Sequence, residues 1–216
     1  MGVPVLIYGN SGAGKTASLR NFKEDEIFYI NVLNKELPFK KKFKYTLYSD
    51  DYTTIRAKML GASNNGIKTM VIDDSGYLIT NKFMRNQGNK RGNNVYDFYS
   101  QLAYDFWDLI NFIKFQLVDD VIVYMVMHEE IKESGEIKPK TIGKLLNEKV
   151  NIEGLFTIVL RAMKMDNHYL FRTQSNGFDV AKTSMTMFEN EEIENDLLIV
   201  NQTIKEYYGG KSKWEK

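Results

Sequence analysis

The chain has 216 residues, of which 43% are hydrophobic and 13% aromatic, and it carries a formal net charge of +1. This size and apolar content predict one α/β domain with a sizeable core, while the near-neutral charge excludes a polycation, so any nucleic-acid binding must come from local basic patches. The sequence lacks cysteine, which excludes disulfides, thiolate catalysis and zinc-thiolate sites, and it lacks the run of about 18 apolar residues that a membrane span requires.

The N-terminal segment predicts a strand, a glycine-rich loop and a helix in that order. Val3 to Tyr8 is an apolar run typical of a buried strand, and a strand this early leaves no room for a signal peptide, so we expect a cytoplasmic protein. Residues 9–16 match the pattern G-x-x-x-x-G-K-[ST] of a phosphate-binding P-loop. Thr16 to Phe22 predicts the helix that follows the loop.

This loop has the composition that polyphosphate binding needs. Glycines allow the backbone to curl around an anion with several N–H groups pointing inward, and the helix that follows directs its positive end at the same anion. We expect Lys15 to reach the β- and γ-phosphates and the Thr16 hydroxyl to hold Mg²⁺. The predicted nucleotide site comprises Gly9, Asn10, Ser11, Gly12, Ala13, Gly14, Lys15, Thr16 and Ala17.

The next segments alternate between strands and helices. Glu26 to Val32 predicts a strand, the basic stretch Lys35 to Lys44 is either a surface turn or a binding loop, and Asp51 to Leu60 predicts a helix capped by Asp51. Ile67 to Asp73 is a largely apolar run that ends in the carboxylates of Asp73 and Asp74. A buried strand that ends in aspartate beside a P-loop supports Mg²⁺ through its water shell, so Asp73 is the predicted metal-side carboxylate.

Two cation-rich stretches without aromatic residues predict mobile loops at 85–94 and 132–149. Between them the sequence predicts a long helix over 95–117 and a buried strand over 120–127 that ends at His128. Without aromatic side chains on which bases could stack, DNA binding by these loops would involve the backbone and show little sequence preference.

The last third of the chain differs in pattern. Gly154 to Met165, Tyr169 to Thr173 and Phe178 to Lys182 predict antiparallel strands, and residues 194–207 predict a final helix. We expect a single domain over residues 1–209 and a disordered basic tail over 210–216. The predicted fold class is therefore α/β, with a mostly parallel central sheet flanked by helices and antiparallel strands in the C-terminal third.

This order of elements resembles the RecA-like P-loop NTPase core, and more closely the small phage-encoded RecA-like ATPases of the single-strand-annealing, Sak-type recombinase group. The P-loop and the aspartate strand are shared by many NTPases, whereas the later stretches are more discriminating. The stretches that carry the resemblance are GNSGAGKT (9–16), VIDDSGYL (71–78), MHEE (127–130), KTIGKLLNEKVNIEGLFTIVLR (140–161), AKTSMTMF (181–188) and NDLLIV (195–200).

The resemblance implies ATP and Mg²⁺ as ligands, a homo-oligomer, and single-stranded DNA as a partner, with a single-strand-binding protein as a further possible partner in the cytoplasm of a bacterial host. It places His128 at the position that senses the γ-phosphate, and Lys182 where a lysine reaches the nucleotide of a neighbouring subunit. It also implies that both loops face the DNA, so the candidate DNA-binding cations are Arg85, Lys90, Arg91, Lys138, Lys140 and Lys144.

The sequence departs from the RecA-like pattern at one catalytic position. The glutamate that orients the attacking water belongs just after the second strand, where this chain has Asn31 to Asn34, and Glu36 lies several residues too late. Asp74 or Glu129 could take this role, and the sequence does not choose between them. We therefore expect slow basal hydrolysis that DNA stimulates.

Two other functions share the P-loop. A nucleoside monophosphate kinase usually carries an arginine-rich lid, and arginine is scarce and unclustered here. A nucleotide-gated adaptor, such as a helicase loader, would bind nucleotide without turnover and would need a protein partner.

Overall fold

The computed structural model of the chain describes residues 1–86, 94–142 and 150–209. Within these residues the strands are β1 Val3–Gly9, β2 Phe28–Asn31, β3 Tyr45–Tyr48, β4 Thr69–Asp73, β5 Ile122–Ile131, β6 Ile137–Pro139, β7 Ile158–Met165, β8 His168–Arg172 and β9 Glu192–Glu194. The α-helices are α1 Tyr52–Asn64, α2 Gly76–Asn86, α3 Asn94–Gln116 and α4 Leu197–Gly209, and short 3₁₀ helices span Thr16–Asn21 and Ile152–Leu155.

The strands form one sheet in the order β3-β2-β4-β5-β1-β7-β8-β9, with β6 paired to the end of β5. The pairs from β3 to β7 are parallel, whereas β8 and β9 are added antiparallel. The predicted fold class, a mostly parallel sheet flanked by helices with antiparallel strands late in the chain, is thus confirmed. Because parallel strands end at the same edge of a sheet, Gly9, Asp73 and His128 lie along one edge.

Helices cover both faces of this sheet. Successive side chains of a strand point to opposite faces, so Leu6 and Tyr8 of β1 pack into the cluster formed with α1, α2 and α3. Val5 and Ile7 pack on the other side, with the 3₁₀ helix after the loop and with α4. Burial on both faces explains why the central strands are continuous apolar runs in the sequence.

Several sequence predictions match the elements closely. The helix predicted from Asp51 is α1, and the Asp51 carboxylate accepts a hydrogen bond from the Thr54 backbone N–H at 2.8 Å, as a helix cap does. The helix predicted over 95–117 is α3, and the run that ends at Asp73 is β4. Among the described residues, no helix is long and apolar enough to cross a membrane.

Other predictions were wrong in extent or type. The helix predicted over Thr16 to Phe22 is a six-residue 3₁₀ helix. The strand predicted over Phe178 to Lys182 consists of two isolated bridges, one to β6 at residue 179 and one to β7 at residue 182, because the segment crosses from one strand to another. The strand predicted from Gly154 begins at Ile158, since a 3₁₀ turn precedes it.

Both stretches predicted as loops contain residues that belong to regular elements. Arg85 and Asn86 form the last turn of α2, a helix that the sequence analysis missed, and α3 begins at Asn94, so residues 87–93 of the first loop lie outside the described residues. In the second loop, β6 pairs antiparallel with Glu129 to Ile131 of β5 and forms a hairpin. Residues 143–149 and the predicted tail over 210–216 also lie outside the described part of the chain.

Candidate nucleotide site

The glycine-rich loop leaves β1 in a conformation that only small residues allow. Gly12 and Gly14 have φ angles of 76° and 87°, in the left-handed region that glycine tolerates. A Cβ atom at Gly9 would lie 2.4 Å from the backbone oxygen of Ala162 on β7, so the loop starts in direct contact with the neighbouring strand. The residues present therefore form a backbone cradle of the kind that binds phosphate.

Lys15 is held inside this cradle. Its side chain is largely buried, and its Nζ donates hydrogen bonds to the backbone oxygens of Gly9 and Asn10, both at 2.7 Å. Burial lowers the pKa of Lys15 below its usual value, although the carboxylates of Asp74 and Asp73 act in the opposite direction. The ammonium group thus already lies at the centre of the loop, among groups that a phosphate can replace as hydrogen-bond partners.

Thr16 and Asp73 meet where β1 and β4 end. The Thr16 hydroxyl donates to the two carboxylate oxygens of Asp73 at 2.9 and 3.1 Å, and the Tyr29 hydroxyl donates to Oδ2 at 2.8 Å. Asp73 is only 6% exposed. Its burial and the neighbouring charge of Asp74 raise its pKa, despite the hydrogen bonds from Tyr29 and Thr16.

These oxygen atoms fit the metal that the fold implies. Mg²⁺ prefers hard oxygen ligands, and in nucleotide sites it is usually bound by one or two carboxylates together with substrate phosphates and water. The Thr16 hydroxyl and the Asp73 carboxylate provide such a pair beside the cradle. Sequence reasoning missed Tyr29, whose place on β2 next to β4 brings its hydroxyl to Asp73.

Asp74 lies next to this pair and is held by two basic side chains. Its backbone adopts a left-handed φ of 57°, which turns the carboxylate away from the path of β4. Lys35 Nζ lies 2.8 Å from Asp74 Oδ2, and His128 Nε2 lies 3.3 Å from Oδ1. Burial alone would raise the pKa of Asp74, but the hydrogen bonds from His128 and Lys35 outweigh it and hold the pKa below its usual value.

Glu129, the other candidate carboxylate, is bound elsewhere. Its oxygen atoms accept hydrogen bonds from Arg161 Nε at 2.9 Å and from Arg161 Nη2 at 3.4 Å, and its side chain is only 8% exposed. Arg161 and Arg172 both contact Asp179, whose side chain is fully buried. Arg172 also pairs with Glu192. Glu129 therefore belongs to a chain of ion pairs that joins β5 to the antiparallel strands.

Lys182 lies apart from the loop of its own chain. Its backbone forms hydrogen bonds with that of Val159 on β7. Val159 is the partner of Leu6 on β1, and Leu6 lies three residues before Gly9, where the loop begins. Its charge also acts on Lys114, whose pKa is lowered by burial and by Lys182. A role at a nucleotide would thus require a second subunit, as the resemblance implies.

The candidate DNA-binding cations are in different environments. Arg85 Nη1 pairs with Asp50 at 2.9 Å, and Lys138 contacts Glu136 and Glu153 at 3.0 and 3.3 Å. Lys140 is exposed, and its backbone N–H donates to the His128 oxygen at 2.7 Å. The other three, Lys90, Arg91 and Lys144, lie outside the described residues.

Replacing Asp73 by asparagine is expected to stabilise the protein without nucleotide and to weaken Mg²⁺-dependent nucleotide binding. Folding raises the pKa of Asp73, so the ionised carboxylate costs stability once the pH rises through its folded-state pKa, whereas below its unfolded-state pKa that cost is absent. We expect the melting temperature to rise by roughly 2–4 °C at pH 7. The gain should disappear near about pH 3, where the carboxyl is protonated in both states.

Thermal unfolding at several pH values, with and without ATP and Mg²⁺, measures both effects. The matched control is Asp25→Asn, because Asp25 is an exposed aspartate in the turn before β2. A melting temperature of Asp73→Asn that falls at pH 7 would contradict the expectation.

Comparison with known proteins identifies one family. A family model described as an AAA domain matches residues 1–192, which include the glycine-rich loop, Asp73, Asp74 and His128. No curated protein matches the chain.

Proposed function

Since the chain belongs to the AAA domain family of P-loop ATPases, we propose that it binds ATP with Mg²⁺ at residues 9–17, hydrolyses it slowly, and couples this cycle to binding or annealing of single-stranded DNA as an oligomer. The observation that supports the nucleotide part most directly is the contact of the Thr16 hydroxyl with Asp73 beside the glycine-rich loop. DNA recombination or replication, in a phage context, is the finer part of the proposal and rests on the resemblance described above.

In the proposed reaction, water attacks the γ-phosphate, the bond to the bridging oxygen breaks, and ADP and phosphate leave. The backbone N–H groups of the loop and the Lys15 ammonium bind the phosphate oxygens and hold the chain of phosphates in line. Bound Mg²⁺ supplies positive charge that stabilises the transferring phosphoryl group. His128 would donate a hydrogen bond to a phosphate oxygen at the same edge of the sheet once its contact with Asp74 is released.

Asp74 is the better candidate for orienting the water, because Glu129 is occupied by Arg161. General bases work best when their pKa lies near the working pH. Asp74 has a lowered pKa and is held by Lys35 and His128, so it is a weak base that must first be released from two partners. This is a physical reason to expect slow basal hydrolysis.

Both cation-bearing segments are connected to the nucleotide site. α2 begins two residues after Asp74 and ends at Asn86, directly before residues 87–93. On the other side, the Lys140 backbone is hydrogen-bonded to His128. A change at Asp74 or His128 when nucleotide binds would therefore reach both segments through short, regular elements, which supports coupling between ATP and DNA.

We expect single-stranded DNA to stimulate hydrolysis, and Lys140→Glu to reduce both the stimulation and the affinity for DNA. Lys140 is exposed and has no ion pair with the described residues, whereas the exposed Arg85 pairs with Asp50. A plot of the logarithm of the DNA-binding constant against the logarithm of the salt concentration has a negative slope. Removing one phosphate contact should make this slope less steep by about 0.7. Filter binding and ATPase assays at several salt concentrations measure this, with Lys205→Glu on the exposed side of α4 as the matched charge reversal.

Failure of the unmodified protein to retain single-stranded DNA at low salt would reject the DNA part of the proposal. An equal loss of affinity for DNA in Lys140→Glu and Lys205→Glu would instead indicate a general effect of charge. It would mean that Lys140 is not part of the DNA-binding interface.

A nucleotide-gated adaptor is the second candidate function. Asp74 and Glu129 are both engaged by basic side chains, which favours binding without turnover. Tight ATP binding with no hydrolysis, in the presence and absence of DNA, would select this function.

A further inference from the structure

A groove of about 820 Å³ opens beside the glycine-rich loop. One wall is formed by the 3₁₀ helix that follows the loop, with Ala17 and Arg20. The other is formed by the turn between β7 and β8 and by the start of β8, with Tyr169. Asn195, just before α4, lies between the two walls. A volume of this size accommodates a nucleoside.

The groove meets the loop at the end that a nucleoside would occupy. Lys15 and the Thr16–Asp73 pair mark the place of the β- and γ-phosphates, so the sugar and base must leave the loop on the side away from Asp73. Ala17, the residue directly after Thr16, lines the groove. A Cβ atom at Gly14 would lie 2.8 Å from the Tyr169 ring and 3.2 Å from Asn195 Oδ1, so the wall of the groove touches the loop itself.

The Asn195 side chain has buried polar atoms without a hydrogen-bond partner. The residue is only 1% exposed, and both its Oδ1 and its Nδ2 lack a partner among the described residues. Its backbone is fixed, since the N–H donates to the Tyr169 oxygen at 3.1 Å and the carbonyl accepts from Arg20 Nη1 at 2.5 Å. Unpaired buried amides are costly and rare, which indicates a partner that arrives with a ligand.

An amide offers one donor beside one acceptor. Adenine presents the complementary pair, an amino donor next to the N7 acceptor, whereas guanine presents two acceptors at the same edge. Tyr169 is 43% exposed, and its ring and the Asn195 amide both lie against Gly14. A rotation of the ring away from the loop would open the amide and leave the ring as a surface on which a base stacks.

We infer that this groove holds the nucleoside of the bound nucleotide, that the Asn195 amide recognises the adenine edge, and that Tyr169 provides the stacking surface. This inference rests on the proposed binding of nucleotide at residues 9–17. It adds base selectivity, which the P-loop alone does not confer because it contacts only phosphates.

The experiment compares the affinities of ATP, GTP and inorganic tripolyphosphate, each with Mg²⁺, by calorimetric titration. For the unmodified protein we expect ATP to bind about tenfold more tightly than GTP and tripolyphosphate. Asn195→Leu should lower the affinity for ATP about tenfold and leave the affinity for tripolyphosphate unchanged. Tyr169→Ala should lower the affinities for ATP and GTP equally, by about tenfold, because stacking does not distinguish the bases.

Asn64→Leu, at an exposed asparagine in the last turn of α1, is the matched control. The affinity for tripolyphosphate reports whether buried Asn195→Leu still folds, and exposed Tyr169→Ala tests the groove independently. Equal affinities of the unmodified protein for all three ligands, or an unchanged ATP affinity in Asn195→Leu or Tyr169→Ala, would overturn the inference while leaving nucleotide binding intact. Binding of none of the three would reject the proposed function itself.

Discussion

Replacing Lys15 by alanine is expected to lower the affinity for ATP by about 100-fold or more and to abolish hydrolysis. Charge-assisted hydrogen bonds to phosphate are the strongest polar contacts in such sites, and Lys15 is the cation at the centre of the loop. The change also removes the donor for the Gly9 and Asn10 carbonyls, so some loss of stability should accompany the loss of binding.

Lys41→Ala separates these two effects. The Lys41 ammonium also donates to two backbone oxygens, those of Arg20 and Phe22, at 2.6 and 2.5 Å. Its removal should therefore cost a similar amount of stability while ATP binding and hydrolysis continue. Calorimetric titration and phosphate release measure the comparison. Retention of hydrolysis by Lys15→Ala would mean that the nucleotide binds elsewhere.

Asp74→Asn is expected to lower kcat by about 100-fold while ATP still binds. The amide keeps the size of the side chain but cannot accept a proton from water. Glu129→Gln should act on stability instead, because it weakens the pairing of a largely buried Arg161 within the ion-pair chain and leaves the site at Asp74 unchanged. Single-turnover hydrolysis and thermal unfolding of both variants measure the two effects.

The lowered pKa of Asp74 also sets an expected pH dependence. A carboxylate whose pKa is lowered by folding contributes stability above its unfolded-state pKa, and this contribution is lost as the pH falls through the folded-state pKa. The stability difference between the unmodified protein and Asp74→Asn should therefore shrink below about pH 4. Normal kcat in Asp74→Asn together with a large loss in Glu129→Gln would transfer the catalytic role to Glu129.

The sequence was sufficient for the parts of the site that are local along the chain. The spacing of glycines and lysine in residues 9–16 defines the loop, and an apolar run followed by two carboxylates marks Asp73 and Asp74. Alternation of buried strands with helices was enough for the fold class. The loop motif and each of these strands can be recognised within about ten neighbouring residues, from the motif or from the periodicity of apolar residues.

Contacts between distant segments could not be predicted in this way. The contact of Tyr29 with Asp73 depends on the pairing of β2 with β4, which the sequence pattern does not reveal. Lys35 is one of several lysines in a basic stretch, and nothing in the pattern distinguishes it as the partner of Asp74. α2 was missed although Ile79 and Phe83 lie four residues apart on one face and both pack into the core. The three-residue strands β6 and β9 depend on their partners for their existence.

The place of β5 between β1 and β4 has a consequence for synthesis on the ribosome. The loop and Asp73 are complete once the first third of the chain has emerged, yet the two strands that carry them are not neighbours, because β5 separates them. β5 begins only at Ile122, after the long helix α3. The edges of β1 and β4 that face β5 therefore stay unpaired until β5 has been synthesised and inserts between them. We expect nascent chains at this stage to be prone to aggregation, because the apolar edges of these strands are unpaired.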